Sequence, residues 1–269
     1  MNNYVKLGKK ILKQGHAEQS RIGPTIALHN QVLSYDLTKG FPLMTTKRVG
    51  PKQIINETIW YLQGTTSINF LEEKKVFVWS KFADEQNDIG KTYSYQFRNF
   101  CGVDQVNEVI KLLTENDENK YTSRRAIINL YNVSELNEMS IPPCIATIQF
   151  NVYWQKGTKY LSTTVNQRSA DFCLGVPYDI AEMALLSHII GVYTNATPKD
   201  LTVFYSNIHV YQAHVEELKL QLQNPVLELP TLVMNDELIK QTKPERLTED
   251  MFDIINIQKG RPVHKYELF

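Results

Sequence analysis

Cysteine is scarce in this chain. There are three among 269 residues, Cys101, Cys144 and Cys173. An odd and widely spaced set excludes a disulfide framework and suits a reducing compartment, so a cytoplasmic location is expected. No two cysteines stand in CxxC spacing, and the six His form no HxxxH or HExxH pattern, so no metal is expected. Charge of one sign is also lacking. Lys+Arg and Asp+Glu both total 29, and without a basic excess no nucleic-acid partner is expected. No apolar run approaches the ~18 residues of a membrane span. The opening MNNYVKLGKKILKQG lacks the apolar core and small-residue site of a leader. There is no internal repeat and no low-complexity linker.

What is present is ordinary globular composition, 42% hydrophobic and 22% charged. The length allows one large domain or two small ones. Tyr4, Leu7, Ile11 and Leu12 recur at helical spacing and predict an amphipathic first helix. Pro51–Gly64 reads as a largely buried helix ending at Gly64, and Val106–Leu113 as another. Thr114–Tyr121 is polar and reads as a surface loop. Ala126–Tyr131 has strand character. Ile145–Trp154 alternates, with Ile148, Phe150, Val152 and Trp154 on one side. Tyr160–Val165 is its expected partner across a turn at Lys156-Gly157-Thr158. Pro177–Tyr193 predicts a long apolar helix, followed by a strand over Leu201–Tyr205 and a helix through Val210, His214, Leu218 and Leu222. Strands and helices mix without strict alternation, so the expected fold class is α+β, a mixed sheet covered by helices.

Several residues could carry chemistry. Cys144 follows Pro142-Pro143, which stiffen its approach, and opens the alternating strand. Taken alone it is as well read as a buried core thiol. Arg21, Arg124-Arg125 after Ser123, and Arg168 beside Ser169 are guanidinium groups suited to a phosphate. Singly, each is equally a solvated surface residue. Asp179 interrupts an apolar segment and reads either as a ligand contact or as a helix N-cap. Glu57 interrupts an apolar helix and, if buried, suits proton transfer with a raised pKa.

Together these pieces form an ordered set of motifs. They are GFPLMTTKR (Gly40–Arg48), ETIWYLQG (Glu57–Gly64), Ser123-Arg124-Arg125, Pro142-Pro143-Cys144, Gln167-Arg168-Ser169-Ala170-Asp171, Leu174-Gly175-Val176-Pro177 and His209-Val210-Tyr211. In these the chain resembles the thymidylate synthase family from Arg21 to the C-terminal segment. The resemblance implies one catalytic domain over 1–269 with the α+β thymidylate synthase-like fold, in a sheet-to-sheet homodimer. It implies Cys144 as the nucleophile that adds to C6 of a pyrimidine nucleotide. Glu57 and Tyr93 would move protons with water, and Arg168 near the thiol would lower its pKa. The 5′-phosphate would be held by Arg21, Arg168 and Ser169, with Arg124 and Arg125 given by the partner subunit. Gln167, Asp171 and Asp179 would meet the nucleotide, and His209 and Tyr211 the sugar 3′-hydroxyl. The one-carbon donor would be 5,10-methylenetetrahydrofolate, bound near Trp79, Asp171, Leu174, Gly175, Tyr178 and the C-terminal Phe269.

The chain departs from the family at four places. Asp179 stands where thymidylate synthases carry Asn, whose side chain matches the uracil edge. A protonated Asp179 would donate to cytosine N3 and accept from its amino group, and the same exchange marks the deoxycytidylate hydroxymethylases related to this family. Ile145 stands where the family has His after the nucleophile. Phe82 replaces a second Trp, and Ser94 a Gly, and neither is assigned a consequence on the folate side. The expected activity is 5-hydroxymethylation of dCMP, or of CMP. The alternatives are reductive C5 methylation of dCMP or dUMP and, outside enzymes, a silent nucleotide- or RNA-binding homologue.

Overall fold

The computed structural model describes residues 1–116 and 122–266. Strand β1 (His16–Gln19) and the long β2 (Pro24–Asp36) lie at the N-terminal edge of a seven-stranded sheet. The other members are β3 (Ile127–Asn129), β4 (Ile145–Gln155), β5 (Thr158–Gln167), β6 (Ala170–Asp171) and β7 (Thr197–Tyr211). The spatial order is β1-β2-β7-β5-β4-β3, and β6 pairs with β7 off this path. The pairs β5–β7 and β6–β7 are parallel and the others antiparallel, so the sheet is mixed. The expected α+β class and mixed sheet are observed. A separate antiparallel pair, β8 (Thr231–Met234) with β9 (Phe252–Ile255), follows near the C-terminus.

The longer helices are α1 (Asn2–Gln14), α2 (Pro51–Gln63), α5 (Gln105–Thr114) and α6 (Gly175–Thr194); shorter ones are α3 (Asn69–Glu73), α4 (Tyr93–Arg98), α7 (Val215–Gln221) and α8 (Asp236–Gln241). Helix α6 packs on β5 and β7, and α2 packs on α6. Both read as apolar runs because both are buried nearly all round, as central helices must be. Pro51 opens α2, where its missing N–H is no loss. Gly64 closes it at φ 76°, a left-handed conformation that glycine adopts without a Cβ penalty. In β4 the expected alternation holds, with Ile148, Phe150 and Val152 buried and Trp154 partly so. The β4–β5 turn has positive φ at both Lys156 (53°) and Gly157 (77°), matching the right-handed twist of the hairpin.

Three expectations change. The helix read through Val210 begins only at Val215. Val210 is a buried residue of β7, which runs fifteen residues instead of five. Asp179 is not an N-cap: α6 starts at Gly175, and Asp179 sits in its second turn. The polar stretch 114–121 begins inside α5, and residues 117–121 of it lie outside the described residues. Among the described residues, no helix is long and apolar enough to cross a membrane.

Candidate active site

A cavity of about 300 Å³ opens between α2, α4, the start of α6 and the sheet. Cys144 reaches it because β4 begins immediately after it, and the register of β4 against β5 shifts between Ile145 and Thr147. The Cys144 N–H donates to Tyr93 Oη at 2.6 Å, and the Arg168 N–H donates to the Cys144 carbonyl at 2.8 Å. The Arg168 guanidinium is anchored by the prolines that precede the thiol. Its Nε donates to the Pro143 carbonyl and its Nη2 to the Pro142 carbonyl, both at 2.8 Å.

Burial pushes the Cys144 thiol up, and the nearby Asp179 adds to this, while the Arg168 charge pulls it down. The net direction is upward. The expected lowering by Arg168 is therefore present as a contribution but overridden by desolvation, which disfavours any charged form.

Glu57 lies on α2, 5% exposed, so the solvated alternative is excluded. Its Oε1 accepts from Trp79 Nε1 at 2.8 Å and its Oε2 from Gln53 Nε2 at 3.1 Å. Desolvation raises its pKa to about 7. Trp79 in turn forms one wall of the cavity, with ring centroids 5.3 Å from Tyr93, 5.2 Å from Trp60 and 6.1 Å from Phe82.

Asp179 faces the same cavity from α6. Gln167 Nε2 at the end of β5 donates to its Oδ2 at 2.7 Å. Burial raises the Asp179 carboxyl to about 6, with Gln167 opposing and Asp171 reinforcing. Asp171 also lines the cavity, and its Oδ1 accepts from the backbone N–H of Cys173 and Leu174 at 2.8 and 3.1 Å. This pins the turn that delivers Leu174, Gly175 and Tyr178, all lining residues. Arg21 and Tyr211 complete the rim.

Other expected residues lie around the cavity without lining it. His209 pairs across from Ala27 in the β2–β7 ladder. Its Nδ1 donates to Asn207 Oδ1 at 2.9 Å, and Asn207 Nδ2 donates to Glu18 Oε2 at 2.9 Å. That relay fixes the imidazole tautomer and leaves Nε2 as the acceptor. Ser169 is half-buried beside Arg168. Arg124 and Arg125 are exposed and do not reach this cavity within one chain. Phe269 lies outside the described residues. Ile145 is 1% exposed and belongs to the apolar core, so no polar group follows the thiol.

Ser94 has a role within the fold. Fully buried, it does not line the cavity. Its Oγ accepts from the N–H of Gly64 and Thr65, both at 3.1 Å, and donates to the Trp60 carbonyl at 2.6 Å. It closes the end of α2 instead of shaping the folate side. Phe82 does line the cavity.

The largest omission of the sequence reading is Glu182, 1% exposed, three residues after Asp179 and on the same face of α6. A charged residue inside an apolar helix is the signal that picked out Asp179, and it applied equally to Glu182.

The cavity is carboxyl-rich and is lined by the Cys144 thiol. The family model for thymidylate synthase matches residues 2–266 of this chain. A thymidylate synthase of Malacoplasma penetrans (strain HF-2) is 36% identical over 268 residues, covering 88% of this chain and 90% of that protein. The chain belongs to the thymidylate synthase family. It is accordingly a folate-dependent one-carbon transferase, of a family whose substrates are a pyrimidine nucleotide monophosphate and folate. In this cavity the rings of Trp79 and Phe82 are tilted 58° to each other, and Asp171 lines the same space.

Proposed function

We propose that the chain hydroxymethylates C5 of a cytidine monophosphate, dCMP before CMP. The observation that carries this reading is Asp179. A carboxyl with its pKa raised to about 6 by burial holds a proton far more readily than an ordinary aspartate. With Oδ2 already accepting from Gln167, a proton on Oδ1 would face the base. A neutral acid offers one donor and one acceptor, the complement of cytosine N3 and its amino group. With Gln167 fixing Oδ2 as the acceptor and Oδ1 as the donor, uracil, with N3–H and O4, would set donor against donor and acceptor against acceptor. Ile145 supports the same reading, because it supplies no polar group on the C4 side.

In this reading Cys144 adds as the thiolate to C6, making C5 nucleophilic. Arg168, held by the Pro142 and Pro143 carbonyls, supplies the charge that favours the thiolate once nucleotide displaces water. Bound methylenetetrahydrofolate supplies the methylene carbon. Glu57 and Tyr93 would take the C5 proton and pass it to the folate nitrogen that leaves as the methylene–nitrogen bond breaks, then take a proton from the water whose oxygen bonds the methylene carbon, after which the thiolate would leave C6. Gln167 positions Asp179. Arg21, Arg168 and Ser169 hold the phosphate, and His209, Tyr211 and Asp171 the remaining polar contacts of the nucleotide. Trp79, Leu174, Gly175, Tyr178 and the terminal Phe269 bound the folate.

Residues 1–269 act here as one catalytic domain, in the cytoplasm, and as a homodimer joined through its sheets. Arg124 and Arg125 are exposed and do not line their own cavity, which suits their donation to the partner's phosphate site.

The test is to incubate dCMP, CMP and dUMP separately with methylenetetrahydrofolate, follow dihydrofolate absorbance and weigh the product. Hydroxymethyl-dCMP without dihydrofolate is expected. A methyl-sized product with dihydrofolate would replace hydroxymethylation by reductive methylation, and turnover of dUMP alone would remove the cytosine assignment.

A further inference from the structure

Glu57 on α2 and Glu182 on α6 line the same cavity between two packed helices, each at most 5% exposed. Each carboxyl bears on the other's ionisation, Glu182 holding Glu57 down and Glu57 driving Glu182 up. Two carboxylates could not share a hydrogen bond, because an ionised carboxylate has acceptors only. A pair holding one proton removes that conflict, and the surrounding donors indicate which member carries it. Both oxygens of Glu57 receive an N–H, from Trp79 and from Gln53. A carboxylate surrounded by donors is stabilised as the anion. Glu182 differs. Tyr61 Oη donates to its Oε2 at 3.1 Å, which marks Oε2 as the carbonyl-like oxygen. Its Oε1 is fully buried, and among the described residues no donor reaches it. A buried oxygen without a donor costs ~1–3 kcal/mol unless it is itself the donor.

We propose that Glu182 is the neutral, proton-carrying member of a buried carboxyl pair, donating its Oε1 proton to ionised Glu57 and so positioning Glu57 as the base of the site. This rests on the reading of Glu57 as the proton-transfer residue. The directions of the ionisation shifts agree. Burial raises both groups, the bond from Glu182 favours the Glu57 anion, and the charges of Glu57 and Asp179 drive Glu182 further up. The other titratable groups facing the pair are Tyr61 on α2, Tyr93 on α4, and Tyr178 and Asp179 on α6. Their roles separate cleanly. Asp179 answers to the base, Glu57 moves protons, and Glu182 keeps Glu57 ionised and aimed in a dry cavity where a lone carboxyl would stay protonated. Three carboxyls in one apolar cavity are then tolerable, because the pair holds one charge instead of two.

The proposal is tested first without any nucleotide, so its outcome is independent of substrate identity. Infrared titration of the Asp179→Asn protein, which removes the Asp179 carboxyl, is followed at about pH 8, well above where ordinary carboxyls have ionised. The C=O stretch of a protonated carboxyl is expected there. It should persist when Glu57→Gln is added and vanish when Glu182→Gln is added. Absence of the band, or its loss with Glu57→Gln and survival with Glu182→Gln, would overturn the assignment.

The second measurement is the pH profile of tritium release from C5-labelled nucleotide, dCMP and dUMP in parallel, in the full-length enzyme. Glu182→Met fills the volume but removes the donor, so the ionisation of Glu57 should move up by about one to two pH units. Glu182→Gln restores a neutral donor and should return the profile toward the wild-type position. A Glu182→Met profile that does not move sinks the positioning role, whichever nucleotide is used.

Discussion

Gln167 Nε2 donates to Asp179 Oδ2 across the floor of the cavity at 2.7 Å, joining the end of β5 to α6. The bond takes one lone pair of Oδ2 and orients the carboxyl, leaving the second lone pair of Oδ2 and all of Oδ1 for a ligand, so a single side chain sets which pyrimidine edge is complementary. Asp179→Asn exchanges the edge preference. The kcat/KM for dCMP should fall by about 10²-fold, from two mismatched buried groups at ~1–3 kcal/mol each, while dUMP turnover rises. Parallel steady-state kinetics with both nucleotides measure it; a variant that keeps dCMP and gains no dUMP contradicts the role.

The same carboxyl gives a pH dependence whose sign follows from its direction. Asp179 is raised to about 6, so its donor form prevails below that pH and is lost above it. Affinity for dCMP should weaken with rising pH by up to about tenfold per unit. Calorimetric titration across this range measures the effect. The slope should flatten in Asp179→Asn, and a slope identical in both proteins would assign the dependence to the nucleotide instead.

Cys144→Ala should abolish turnover to below about 10⁻³ of wild type while leaving nucleotide affinity within a few-fold, because in the proposed reaction the thiol acts on C6 and adds little to recognition. Equilibrium binding beside product assays separates the two. Unchanged product formation would place the nucleophile elsewhere.

The dimer reading predicts complementation. Arg125→Ala and Cys144→Ala are each expected to be inactive alone. Mixed and allowed to exchange subunits, they should regain up to about a quarter of wild-type activity, the share of sites built from two intact halves. No recovery, with exchange verified by native mass spectrometry, would put Arg125 outside the partner's site.

Ser94 predicts a stability effect distinct from activity. Its hydroxyl serves two N–H groups and one carbonyl at the end of α2. Ser94→Ala should cost about 1–3 kcal/mol in denaturant unfolding, since buried donors lose their acceptor. A change below about 0.5 kcal/mol would show that water replaces the hydroxyl.

Much of this protein is local and therefore legible in its sequence. The periodicities of α1, α2, α5, β4 and β5 depend on which face is buried, and Pro51 and Gly64 bound α2 by backbone sterics alone. The ordered motifs around Cys144, Arg168 and Asp179 gave the family before any coordinates. What failed to show is non-local. The long β2 went unread, and β7 was cut short. Such strands are made by pairing partners far along the chain, here Thr25 with Tyr211 and Asp36 with Asp200.

Within the site, the sequence alone determined the chemistry available: a thiol behind two prolines, carboxyls inside apolar helices, arginines beside serines. Only the tertiary structure decided how those groups modify one another. Ionisation depends on burial and on neighbours at hydrogen-bond distance, which are properties of packing and not of spacing. That is why Cys144 proved raised despite Arg168, why Ser94 serves α2 instead of the cavity, and why Glu182, separated from Glu57 by more than a hundred residues of chain, stands at its side.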